Sequence, residues 1–258
     1  EDEMVEISRE NTIEVFDLKR AFDGFFAVKG ISFFVKSSEI FGVLGANGAG
    51  KTTTIRMLTG LLKPTSGTGS VAGLDINSEY EKIKWHIGYM SQKFSLYDDL
   101  TVGENIDFFC GVYGLSRKII SERLEELDST LEIKRYLSSR TSSLPPGIKQ
   151  RLALTTAVLH EPQVLFLDEP TSGVDPLMRR SFWETITHFA LKGISVVVTT
   201  HYMEEAEYCN RLMIMHEGRI VDVGTPEELK NRHGKNSIED VFVTLVDTTS
   251  PAVADQYE

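Results

Sequence analysis

Gly45-Ala46-Asn47-Gly48-Ala49-Gly50-Lys51-Thr52 follows the apolar run Ile40-Phe41-Gly42-Val43-Leu44 and opens a segment of helical character. The spacing G-x-x-x-x-G-K-[ST] is that of a phosphate cradle. Its glycines let the backbone wrap an anion with successive N–H groups pointing inward, and the positive end of the next helix adds to the field. Gly45, Asn47, Gly48, Ala49 and Gly50 form the expected cradle, with Thr53 just inside the helix. Lys51 would reach the β- and γ-phosphates of a nucleotide, and the Thr52 hydroxyl would ligate Mg²⁺. The strand before and the helix after separate this reading from that of an accidental glycine-rich turn.

A second run, Val164-Leu165-Phe166-Leu167-Asp168-Glu169, has four apolar residues followed by two carboxylates. Such a run fits a strand buried on both faces of a parallel sheet, where ligands sit beyond the carboxyl ends of the strands. Asp168 is then suited to hold Mg²⁺ through its water shell, and Glu169 to orient and deprotonate an attacking water. Gln92 closes the run that starts at Trp85, and its amide carbonyl could contact Mg²⁺ or that water. Ser195 to Thr200 is β-rich and ends at His201, which could hydrogen-bond a γ-phosphate or be a structural histidine. An aromatic ring at the turn read over Arg20 to Gly24 could stack on a purine. Phe22 is the first choice there, with Phe25, Phe26 and plain core packing as rivals.

A chain of 258 residues holds one large α/β domain or two smaller ones. Cys110 and Cys209 are far apart and form no C-x-x-C, which fits a reduced cytosolic setting without a zinc site. The net charge of −11 and pI of about 5.1 argue against a nucleic-acid surface. No apolar run reaches the roughly 20 residues of a membrane-spanning helix. The chain begins at Glu1 rather than methionine, as a processed chain or a piece of a longer polypeptide would.

Strands are also expected over Ile13 to Leu18, around Ile31 to Val35, at Ser70 to Gly73, over Leu212 to Met215 and over Arg219 to Val223. Thr53 to Leu58 continue the helix after the cradle, and Gly60 can end it. The stretch from about Val102 to His160 reads as largely helical. In it Ile120, Leu124, Leu127 and Leu131 mark an amphipathic helix, and a later helix starts near Gly147. Pro226 begins a short helix, and Thr248 to Glu258 reads as a frayed tail.

Together these residues resemble the ATP-binding-cassette (ABC) ATPases over nearly the whole chain. Gly45 to Thr52 is similar to their Walker A loop, Gln92 to their Q-loop and Asp168-Glu169 to their Walker B end. Ser172-Gly173-Val174-Asp175 is similar to their D-loop and His201 to their switch histidine. The resemblance implies an α/β P-loop NTPase core with a small antiparallel β subdomain and an inserted helical subdomain over about 93–160. It also implies a nucleotide-binding domain over 1–235 and a C-terminal extension over 236–258. It further implies Mg²⁺-dependent ATP hydrolysis and head-to-tail pairing with a second cassette. Membrane-spanning permease subunits would be partners, nucleic acid would not, and the location would be cytoplasmic at the inner face of the cell membrane. Asp175, Gly147 and Gln150 would belong to the nucleotide-binding set.

The chain departs from the family at the signature, L-S-G-G-x-x-Q, where it reads Leu144-Pro145-Pro146-Gly147-Ile148-Lys149-Gln150. The serine hydroxyl is missing and two prolines bring no N–H, although Gly147 can still donate. Losing a donor that acts in the transition state can cost about 10²–10³ in rate. The resulting expectation is an asymmetric pair, with a competent Walker A half here and a weaker site completed by this signature. Pro145 to Arg151, Phe166 to Pro176 and Ile238-Glu239-Asp240-Val241-Phe242 resemble bacterial ABC-2 type exporters, and more narrowly the second cassette of tandem multidrug-efflux ATPases. The aromatic-rich stretch after Gln92, with Phe94, Leu96 and Tyr97, is where family analogy places docking of the membrane subunit. Two alternatives remain: a soluble ABC ATPase without a membrane partner, and a nucleotide-gated module with little turnover.

Overall fold

The computed structural model describes residues 11–249 except Phe94, with residues 247–249 described by their backbone only. Two sheets organise the chain. Strands β1 (Asn11–Phe22), β2 (Phe25–Lys36), β4 (Ser66–Val71) and β5 (Leu74–Asp75) form an antiparallel sheet in the order β2-β1-β4-β5. Strands β3 (Ile40–Leu44), β6 (Ile87–Met90), β7 (Val164–Asp168), β8 (Ser195–Thr200), β9 (Arg211–His216) and β10 (Arg219–Gly224) form the second, in the order β10-β9-β3-β8-β7-β6. Its strands pair in parallel except for the terminal β9–β10 hairpin.

Strand alternation divides the core into layers. On one face Phe41, Val43, Phe166, Val197 and Met213 meet the antiparallel sheet through Ile13, Val15, Val28 and Ile31, with helix α1 (Lys51–Leu58) between. Phe33 and Phe41 stack there with ring centroids 5.5 Å apart. On the other face Ile40, Leu44, Leu165, Leu167 and Val198 pack on α5 (Pro146–Val158) and α6 (Pro176–Leu191). A third cluster belongs to the inserted helices α3 (Val102–Val112) and α4 (Arg117–Leu131), which hold α5 through Val102, Ile106, Ile120, Leu124 and Leu152. Helix α5 is therefore shared between the insert and the main sheet. The short α2 (Tyr80–Ile83) precedes β6, and α7 (Pro226–His233) and α8 (Ile238–Thr249) close the chain.

Several expectations change. The turn placed over Arg20 to Gly24 is only Asp23-Gly24, with φ of 44° and 86°, and β1 runs on to Phe22. An Asp-Gly pair supplies the left-handed backbone that a two-residue hairpin needs, so the strands extend to its edges. The strand expected at Ser70 begins at Ser66. No break in packing falls at residue 235, because Ile238, Val241 and Leu245 of α8 join the main core. Thr248 and Thr249, read as tail, belong to α8, while 250–258 and Phe94 lie outside the described residues.

Candidate functional site

The cradle forms between β3 and α1. Gly50 sits at φ 104° as the N-cap of α1, and its side offers no room. A methyl group there would come within 2.7 Å of the Ala27 carbonyl oxygen, so only glycine lets β2 pass this close. The Glu217-Gly218 turn braces the loop from outside: Gly218 N–H donates to Ala49 O at 3.0 Å, and Lys29 N–H to Gly218 O at 2.7 Å. Among the described residues, the N–H groups of Gly48, Gly50, Lys51, Thr52 and Thr53 find no acceptor. Unpaired donors at a helix N-terminus suit the oxygens of a phosphate chain. The loop therefore fits the phosphate chain of a nucleotide.

Parallel register brings the chemistry to that loop. Residues of β7 and β8 pair Leu167 with Val198 and Asp168 with Thr199, so both strands end beside α1. Asp168 Oδ1 accepts the Thr52 hydroxyl at 3.0 Å and the Thr199 hydroxyl at 2.7 Å. Burial pushes the Asp168 carboxyl above the usual carboxylate range, against the two hydroxyl hydrogen bonds and Lys51, which pull it down; Glu169 adds to the rise. A hydroxyl and a buried carboxylate are hard oxygen ligands of the kind Mg²⁺ takes together with water and phosphate. Among the described residues no cluster of three or more His, Cys, Asp or Glu side chains could hold a metal ion by itself.

Glu169 lies at the centre. It has a left-handed φ of 47°, unusual for a residue with a side chain, and its N–H is held by the Thr199 hydroxyl at 2.9 Å. Such a backbone costs on the order of 1–3 kcal/mol and turns the side chain out of the strand direction. Its Oε1 lies 3.2 Å from Lys51 Nζ, and its Oε2 accepts the Gln92 amide at 3.0 Å and meets His201 Nδ1 at 3.2 Å. Lys51 is also bonded to the carbonyls of Gly45 at 2.7 Å and Ala46 at 3.1 Å. Lys51, Thr52, Gln92, Asp168, Glu169 and His201, read from separate stretches of sequence, thus form one connected group.

Other candidates stand differently. Phe22, Phe25 and Phe26 are all substantially exposed at the β1–β2 tip, and the Arg20 guanidinium covers one face of Phe22 at 4.5 Å. Asp175 caps α6 by accepting the Met178 N–H at 3.1 Å. Pro145 is the N-cap of α5 and Pro146 its first residue, a position where proline's missing N–H removes no helix bond. Gly147 N–H has no acceptor among the described residues, and its Cα faces Met178 of α6. Gln150 turns its amide inward. It is 1% exposed and donates to Pro170 O at 2.6 Å, tying α5 to the segment after Glu169, because the helix turns this position into the core.

Thr199 was missed by sequence reasoning. As one threonine in Ser195-Val196-Val197-Val198-Thr199-Thr200 it looks like any strand residue; only the β7–β8 register shows that it meets Asp168. A groove of about 410 Å³ lies away from the cradle, between insert and core. Leu61, Trp85, Tyr89, Ser91, Phe109 and Val112 are among its walls, so it runs beside the strand that leads to Gln92.

The family model described as ABC transporter matches residues 28–172, and an AAA-domain model matches 140–205. Over 242 residues the chain is 47% identical to the probable multidrug ABC transporter ATP-binding protein YbhF of Escherichia coli (strain K12), covering 92% of this chain and 42% of that protein. It thus spans less than half the length of that relative. It is 36% identical to the linearmycin resistance ATP-binding protein LnrL of Bacillus subtilis (strain 168), covering 90% of this chain and 75% of the other. A solved ATP-binding subunit of an ABC transporter superposes with a TM-score of 0.83 at 31% identity, covering 91% of this chain and 99% of that one. With the phosphate loop, the acidic strand end and these similarities in agreement, the chain belongs to the ABC transporter family as one of its ATPase domains.

Proposed function

We propose that this chain hydrolyses Mg·ATP to power a bacterial-type exporter of the ABC-2 class, with drugs or other hydrophobic compounds as cargo. The names of the relatives, multidrug and linearmycin resistance, support the export reading. The observation that carries hydrolysis is the Glu169 carboxylate, gathered by Lys51, Gln92 and His201 beside the Thr52–Asp168 pair. The unpaired N–H groups of the loop bind the phosphates, with Lys51 adding charge. Thr52 and Asp168 would hold Mg²⁺, which supplies charge neutralisation at the β- and γ-phosphates. Glu169 takes the proton of the attacking water, Gln92 orients that water, and His201 fixes Glu169 and reaches the γ-phosphate. Stacking of the adenine falls to one of the rings at the β1–β2 tip.

The partner would be a second cassette, arranged head to tail and different from this one. Pro145 and Pro146 leave Gly147 as the single free backbone donor of the signature turn, so the site that this signature completes would be the weaker. The groove between insert and core would receive a helix of the membrane-spanning subunits, at the inner face of the membrane. Pressure there would act on β6 and hence on Gln92. No helix among the described residues is long and apolar enough to cross a membrane. A nucleotide-gated module with little turnover is the second reading, and the double proline favours it.

Steady-state Mg·ATP hydrolysis by the wild type and by Glu169→Gln separates the two. An ATPase loses about 10²-fold or more in kcat while keeping ATP binding. Equal, negligible rates for both proteins in the assembled transporter would leave only the gating module.

A further inference from the structure

Glu205 follows β8 in a short 3-10 turn, Met203–Tyr208, and has no direct contact with the hydrolytic cluster. It is 1% exposed. Its Oε1 accepts the hydroxyl of Thr171, two residues beyond Glu169, and its Oε2 accepts the hydroxyl of Thr200 at 2.6 Å, one residue before His201. Arg179, in the first turns of α6, holds Nε 3.5 Å from Oε1, an ion pair without hydrogen-bond geometry. The same guanidinium lies 4.0 Å from the Tyr202 ring centroid and reaches Val174 O through Nη2 at 3.5 Å. Tyr202 in turn donates its N–H to Thr200 Oγ1 at 3.0 Å, and its ring centroid is 4.2 Å from that of His201. Three lengths of chain therefore converge on one buried carboxylate: the segment leaving Glu169, the start of the helix capped by Asp175, and the strand end that carries His201.

Stability does not account for this arrangement. A buried ion pair is commonly neutral or inferior to an apolar side chain of the same volume, whereas directional bonds to two hydroxyls, with a guanidinium held beside them, fix relative positions. We propose that Glu205 is a positioning residue that sets the spacing of Glu169 and His201 and couples both to the Val174–Arg179 stretch. A shift of that stretch, such as a partner cassette would impose, is then passed through Arg179 and Glu205 to the hydrolytic pair. This inference rests on the ATPase reading.

The test is steady-state ATP hydrolysis by the assembled transporter, with thermal melts to verify folding. Glu205→Gln still offers one acceptor and one donor to the two hydroxyls but loses the Arg179 pair. It lowers kcat by about tenfold with KM for ATP within about twofold, since a misplacement of order 1 Å acts on the chemical step rather than on binding. In a His201→Ala background the same change costs less than in the wild type, because the His201 arm of the positioning is already gone. Thr200→Ser keeps the wild-type rate, and Thr200→Val loses as much as Glu205→Gln. If Glu205→Gln fails to fold, the Thr200 pair decides. Wild-type kcat in Glu205→Gln, losses that multiply with His201→Ala, or equal behaviour of Thr200→Ser and Thr200→Val would each overturn the proposal. A wild type as inactive as Glu169→Gln would overturn the ATPase reading itself, a failure distinguishable from loss of positioning.

Discussion

Around Asp168 and Glu169, side chains from α1, from the end of β6 and from β8 bond directly to one another; at the start of α5 the helix opens on two prolines with no side-chain cap. The first region brings its own charges, hydroxyls and strained backbone into one cluster. The second offers a backbone N–H at Gly147 and directs its polar side chain, Gln150, inward to Pro170. On the proposed function, the same chain would hold a closed hydrolytic half and a sparse complementary half. A pair of identical copies would combine the strengths and weaknesses equally at both sites, whereas a pair with a different cassette separates them.

The strongest way to break the comparison is Asp168→Asn. The amide oxygen can still accept the Thr52 and Thr199 hydroxyls, but the negative charge for Mg²⁺ is gone. Hydrolysis falls by about 10²-fold or more, to be read as Mg·ATP turnover. Stability moves the other way. Burial raises the Asp168 pKa in the folded chain, so its favourable contribution is complete below the ordinary value of 3.8 and is lost as the pH rises through the folded value. At neutral pH the variant therefore melts higher than the wild type, by about 2–4 °C, and the gap narrows toward pH 4. Equal melting temperatures at neutral pH would show that the carboxylate carries no burial penalty.

A smaller effect tests the far end of α5. His160 follows this helix, places Nε2 2.8 Å from Ile87 O, and stacks on Tyr113 with centroids 3.7 Å apart. Its Nδ1 is buried without a partner among the described residues, so a second proton would find no acceptor there. Burial lowers its pKa below the usual 6.5 despite the bond to Ile87. The sign is opposite to that of Asp168: the contribution is complete above 6.5 and lost as the pH falls through the folded value. Melts at pH 7.5 and 5.5 should show the wild type losing about 1–2 °C more than His160→Gln. An equal loss in both proteins would remove His160 as the pin between insert and core.

What was legible in the sequence had local chemistry. Glycine spacing fixed the cradle, a buried apolar run located Asp168 and Glu169, and Pro145-Pro146 showed a helix start without its usual donors. What was not legible depended on neighbours in space. Thr199 and Glu205 carry no local signal for what they join, because Asp168 and Thr171 lie 31 and 34 residues away and are met only through the parallel register and the turn after β8. Gln150 looked like a ligand in the linear motif; helical rotation places it against Pro170 instead. The hairpin tip was read one strand-end too wide, since Asp23-Gly24 confines the turn to two residues.

The central claim, one competent and one deficient half, is tested most directly by light scattering of the Glu169→Gln chain with Mg·ATP, because blocked hydrolysis traps any sandwich dimer. The account predicts a monomer that binds ATP, and a dimer once Pro145→Ser and Pro146→Gly are added. A stable dimer of the chain with its own double-proline signature would contradict it and point to a symmetric transporter.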